Sequence, residues 1–194
     1  MRISSLKTFF SGLALVSFLS VGGASAQPLV GVNAQLNHTF ESKNAAVGQP
    51  ITARLDGTIT AYGTKLERGT ELIGKVANVK NDGSTVSVSV VFTSAKLKDG
   101  KEIPVKATLL AAFPDQGEEV GADSAGNPPA TVNADSVIEQ QAGALGHVAL
   151  TSAVKNQDSG TFSSEKGNFK LQAGTYLQLG LAPAGAGGSM NAAE

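Results

Sequence analysis

His38 and His147 are the only histidines in the chain, so any imidazole chemistry, whether acid–base, triad or zinc, has to begin with them. More than 100 residues separate the two, no His-Glu-x-x-His run sets a ligand pair on one helix face, and no Gly-x-Ser-x-Gly elbow offers a serine nucleophile. Both read as ordinary surface or partly buried side chains. Asp115, Glu118, Glu119 and Asp123 crowd a short stretch. A calcium ion takes about six to eight oxygens, but this spacing is not that of an EF-hand and no glycine-bent loop orders the ligands. The stretch reads as a solvated acidic loop. There is no cysteine, which excludes disulfides, thiolate nucleophiles and Cys-ligated zinc or iron–sulfur sites. No catalytic, metal or cofactor-binding residue is assigned, and no cofactor is expected.

Binding chemistry is equally sparse. Fifteen Lys and Arg stand against 16 Asp and Glu, whereas a nucleic-acid partner calls for a clustered basic surface. Tyr62, Tyr176, Phe40, Phe92, Phe113, Phe162 and Phe169 are the aromatics beyond residue 26. Most fall at core-facing strand positions, so platforms for stacking bases or sugars are few.

The elements that would have to position any site are strands. In Ser84 to Thr93, Val86, Val88, Val90 and Phe92 share one face while Thr85, Ser87, Ser89 and Thr93 take the other, with Val91 alone out of step. Ile103, Val105, Ala107 and Leu109 alternate in the same way with Glu102, Pro104, Lys106 and Thr108, as Ile51, Ala53 and Leu55 do with Thr52 and Arg54. A two-residue period puts successive side chains on opposite faces of a pleat, and the helical 3.6 period is absent. Asn81-Asp82-Gly83 and Asp99-Gly100 punctuate these runs as hairpin tips, which predicts an antiparallel meander of three strands. Pro104 lacks the amide that a central ladder needs, so it marks an edge or a bulge. Gly-Thr-x-Leu recurs at Gly63, Gly69 and Gly174, and is read as turn grammar followed by a strand start rather than as a phosphate cradle.

Residues 1–26 read as a secretory leader: Arg2 and Lys7, an apolar run from Phe9 to Leu19, then Ala24-Ser25-Ala26, with cleavage expected after Ala26. The apolar run of about 11 residues is short of the roughly 20 that span a bilayer. Without Arg2 and Lys7, 13 basic residues face 16 acidic ones, a charge of about −3. The expected product is exported, periplasmic or extracellular, with at most peripheral membrane contact. Residues 27–182 are expected to form a single β domain, interrupted at about 112–160 by a long Gly/Ala-rich insertion holding at most one short helix within 136–154. Residues 183–194 are expected to be a flexible tail.

Leu66-Glu67-Arg68-Gly69-Thr70-Glu71-Leu72-Ile73-Gly74-Lys75-Val76, then Val88 to Phe92, then Leu97-Lys98-Asp99-Gly100-Lys101-Glu102-Ile103-Pro104-Val105, form an order of motifs. It resembles the TrbI-type β-barrel of conjugation and type IV secretion channels, and Leu171 to Leu177 would be the closing strand. The resemblance covers roughly 48–111 and 168–181. Channel-building members carry a proline-rich arm and a cytoplasmic anchor, where this sequence passes from leader almost directly to barrel. The likeness therefore implies a short stand-alone exported version of the barrel and implies no activity.

The expectation is an all-β protein, a small antiparallel barrel or sandwich. It would serve as a non-enzymatic cell-envelope module for protein interaction or structural support, with another envelope protein as partner. The alternatives are a secreted hydrolase using dispersed carboxylates, drawn from the 16 acids, and an outer-membrane-associated accessory of a secretion channel held through 136–154.

Overall fold

A computed structural model describes residues 29–114 and 136–183. The leader with Ala26, the acidic residues Asp115, Glu118, Glu119 and Asp123, and residues 184–194 lie outside the described residues. Among the described residues thirteen strands follow in order: β1 (Val30–Leu36), β2 (Phe40–Glu41), β3 (Pro50–Leu55), β4 (Ile59–Ala61), β5 (Thr64–Leu66), β6 (Glu71–Asp82), β7 (Thr85–Lys96), β8 (Glu102–Phe113), β9 (Val137–Leu145), β10 (Val148–Ala153), β11 (Gly160–Ser164), β12 (Lys170–Leu171) and β13 (Tyr176–Pro183).

The two-residue period decides what is inside. Val86, Val88, Val90 and Phe92 are each at most 2% exposed, and Ile51, Ala53, Leu55, Ala107, Leu109, Leu177, Leu179 and Leu181 join them in one core. The alternation slips by one residue after Phe92, where the next inward side chain is Ala95. A bulge causes the slip: β6 runs Ile73 opposite Ser94 and then Gly74 opposite Phe92, leaving Thr93 as the extra residue. Gly74 makes this close approach possible, since a Cβ there would stand 2.5 Å from the Val91 carbonyl oxygen and 2.8 Å from the Phe92 ring. Val91 is half-buried on the outward side, in step with Ser89.

Six strands close on themselves in the order β6-β3-β1-β13-β8-β7, and β7 returns to β6; every pairing is antiparallel. A barrel this narrow is filled by its own side chains. Both ends are also covered. The β4–β5 hairpin brings Ala61 and Leu66 into the core at one end, and the β2–β12 pair brings Phe40 and Leu171, with Phe169, into it at the other.

The predicted meander is present, with two refinements. The β6–β7 turn is Gly83-Ser84, closed by Asp82 opposite Thr85, with Gly83 at φ 75°; the positive φ falls at the first central position, as in a type II′ turn. Between β7 and β8 only three pairs form, Ser94–Pro104, Ala95–Ile103 and Lys96–Glu102. Pro104 is the last of them, in keeping with its missing amide. The three Gly-Thr-x-Leu glycines all have positive φ, between 77° and 88°, as turn grammar requires.

Past Pro104 the sheet forks. β8 continues with β13, while β11, β10 and β9 extend the sheet from β7. This overturns the helix expected within 136–154: that segment is the β9–β10 hairpin. Its β-branched Val137, Ile138, Val148 and Thr151 suit strands, Gly143 and Gly146 each disfavour a helix by about 1 kcal/mol, and Gly146-His147 makes the turn. His38 falls in an exposed bend after β1.

Candidate functional site

No catalytic constellation is assembled from the histidines. His38 is exposed in the bend between β1 and β2, His147 is exposed at the β9–β10 turn, and among the described residues no group of three or more His, Asp or Glu side chains could hold a metal ion. The described aromatics are mostly structural: Phe40, Phe92, Phe162 and Phe169 are buried, and Phe113 and Tyr176 half-buried.

One groove of about 360 Å³ lies on the outer side of β3, lined by His38, Gln49, Pro50, Thr52 and Glu71 over Phe40 and Ile51. The β1–β3–β6 ladder builds it. The Asn37 backbone donates to the Thr52 carbonyl at 2.9 Å, prolonging the β1–β3 pairing, and its side-chain amide donates to Thr52 Oγ1 and to Glu71 Oε1, both at 2.9 Å. Glu71 is thus held as an acceptor. The wall offers an imidazole, an amide and a carboxylate for hydrogen bonding, without an activated nucleophile beside a base. Asn37 and Glu71 were not singled out from the sequence. They meet only through strand pairing across 34 positions, for which local spacing carries no signal.

A second polar set surrounds the β4–β5 hairpin. Tyr62 takes φ 51°, the one positive φ of a non-glycine among the described residues, and with Gly63 at 77° forms the two-residue tip. Its hydroxyl donates to the Leu181 carbonyl at 3.0 Å, and partial burial raises its pKa above the ordinary tyrosine range. Below it, Lys98 Nζ reaches Glu67 Oε2 at 3.2 Å and Lys65 Nζ reaches Glu67 Oε1 at 3.3 Å. These two ammonium groups, Lys98 first, hold the exposed Glu67 carboxyl below its ordinary pKa. Arg68 pairs with Asp56 at 3.0 Å. Such exposed pairs orient a hairpin and contribute little stability.

The third set satisfies the fork. Ser159, fully buried, donates its amide to the Val90 carbonyl at 2.8 Å, accepts the Phe92 amide on its hydroxyl at 2.9 Å and accepts the Leu109 amide on its carbonyl at 2.7 Å. The Ser152 hydroxyl donates to the Leu109 carbonyl. Gln140 clasps Ala112 with both ends of its amide, accepting from the backbone N–H at 2.7 Å and donating to the carbonyl at 2.6 Å. Each side chain replaces what a neighbouring strand would supply, because an unpaired buried backbone group is costly.

No family model matches the chain, and no curated protein does. Among solved structures, the chain is similar to ComB10 of the Com type IV secretion system of Helicobacter pylori, at 11% sequence identity and a TM-score of 0.39, over 79% of this chain and 85% of that one.

Proposed function

We propose that the chain is an exported cell-envelope module that works by binding another protein or by structural support rather than by catalysis. The carrying observation is the filled barrel: aliphatic and aromatic side chains occupy the interior, and a hairpin or a strand pair covers each end. A barrel without a lumen leaves its outer faces, turns and strand edges to meet partners. Export rests on the leader ending at Ala26 and is checked by the mass of the protein recovered from the envelope, which should begin at Gln27.

A narrower form of the proposal is a short stand-alone relative of the TrbI-type barrel, working beside a secretion channel. The motifs that carry that resemblance fall on staves of one ring: Glu71 to Val76 in β6, Val88 to Phe92 in β7, Glu102 to Val105 in β8 and Tyr176-Leu177 in β13. Among the described residues no helix is long and apolar enough to cross a membrane, and the 136–154 segment carries a sheet hairpin.

The test is crosslinking in intact cells followed by affinity purification of the processed protein. Recovery of the same envelope protein in replicate crosslinks supports the reading, and repeated recovery of none counts against it. Glycoside, ester and peptide substrates tested in parallel address the hydrolase alternative. Turnover abolished by one Asp or Glu substitution would replace the binding reading with that one.

A further inference from the structure

The β6–β7 hairpin projects beyond the barrel with one edge unpaired. β3 accompanies β6 only as far as Pro50 opposite Lys75, and the loop before it adds Gly48 N–H to the Val76 carbonyl and Val76 N–H to the Gln49 carbonyl, each at 2.9 Å. From there to the tip, β6 pairs with β7 alone. Asp82 opposite Thr85 closes a two-residue turn, so alternation along the ladder turns the backbone groups of Asn81 and Val79 away from β7. Among the described residues nothing bonds those outward amides and carbonyls. Val47, 69% exposed and the most exposed large apolar residue described, stands in the loop where this edge begins.

We infer that this edge is a pairing surface for a second copy of the chain, joined antiparallel about a two-fold axis at Asn81. Charge selects both occupant and register. Outward groups keep ladder bonds only opposite outward groups of the other copy, which leaves axes at Val79, Lys80 or Asn81; at Asn81 the bonded pair is Asn81 with Asn81, and Val79 falls opposite Gly83 of the turn. An axis at Val79 sets Asp82 against Val76, whose backbone is already bonded to Gly48 and Gln49. An axis at Lys80 sets two lysines face to face. An axis at Asn81 sets Lys80 of each copy opposite Asp82 of the other, giving two opposite-charge pairs across the junction. The two hairpins then overlap only near their tips and the barrels lie on opposite sides. The contact is small, so association is weak and appears at about 0.1–1 mM protein.

The test is sedimentation equilibrium of the processed protein at low salt, with amide resonances followed against concentration. Lys80→Asp and Asp82→Lys should each weaken association about tenfold, since each makes two like-charge pairs. The double exchange K80D/D82K should restore it, and the amide of Asn81 should shift with concentration. Asn81→Pro removes an outward N–H without touching the β7 ladder, so it should abolish the dimer and leave the fold intact by circular dichroism. A monomer up to about 1 mM overturns the inference. So does a dimer indifferent to the single charge changes, or one that the double exchange fails to rescue, because its interface is then elsewhere.

Discussion

The Ser159 hydroxyl accepts the backbone N–H of Phe92 at 2.9 Å, at the place where β7 and β8 part company. Phe92 lies two residues before Ser94, the first β7 residue to pair with β8, and without Ser159 its amide would face the opened seam. Because Ser159 also bonds Val90 and Leu109, one residue ties together two strands that have stopped bonding each other. The fork is what lets β9, β10 and β11 join a sheet that has already closed.

Ser159→Ala should therefore destabilise the protein by about 1–3 kcal/mol, the cost of leaving a buried amide without its acceptor. Ser159→Thr keeps the hydroxyl but adds a methyl group at a site with no exposure. Urea unfolding reads the effect as a lower midpoint at unchanged slope. A midpoint within error of the unsubstituted protein would mean that solvent reaches the seam.

The bulge at Thr93 gives a second test. Gly74→Ala places a Cβ 2.5 Å from the Val91 carbonyl oxygen and 2.8 Å from the Phe92 ring, so backbone or ring has to shift, at about 1–3 kcal/mol. Gly57→Ala is the control. No atom stands within 4 Å of its Cβ position, and its φ is not positive, so thermal melting should barely change.

Inward and outward positions of β7 should respond oppositely to charge. Val88 has no exposure and sits in the main core, so Val88→Asp should cost several kcal/mol, about 3 or more, or prevent folding. Ser87 is half-buried opposite Lys80. Ser87→Asp puts a carboxylate across from that ammonium and should stay within about 0.5 kcal/mol of the parent. Equal damage from both substitutions would show that the register of β7 is wrong.

What could be read from the amino acids follows from which contacts are local. Val86, Val88, Val90 and Phe92 announce their face because burial in a strand repeats every two residues whatever the neighbouring strand is. Gly63, Gly69 and Gly174 announce turns because few other residues accept their φ. The fork could not be read in this way. Ser159 and Gln140 are ordinary polar residues whose importance comes from Phe92, Leu109 and Ala112, which are distant in sequence. Nor could β9 and β10, where glycines among β-branched residues blur both periods. The groove at Asn37 and Glu71 needs the register of three strands before it exists.

The ion pairs beneath the β4–β5 hairpin make a pH-dependent prediction whose sign is set by Glu67. Its carboxyl has a lowered pKa in the folded protein, through Lys98 first and Lys65 second, so the folded state binds that proton less readily than the unfolded chain does. The stabilisation is therefore present above the unfolded value, near 4.5, and is lost as pH falls through the lower folded value. Glu67 is exposed, and solvent and salt screen the pairs, so the effect is small. Glu67→Gln should leave the protein slightly less stable at neutral pH and bring the two unfolding midpoints together as pH falls below that value. Raising salt should shrink the neutral-pH difference. A gap between the two proteins that persisted unchanged at acid pH would assign the contribution of Glu67 to packing of its side-chain stem instead of to charge.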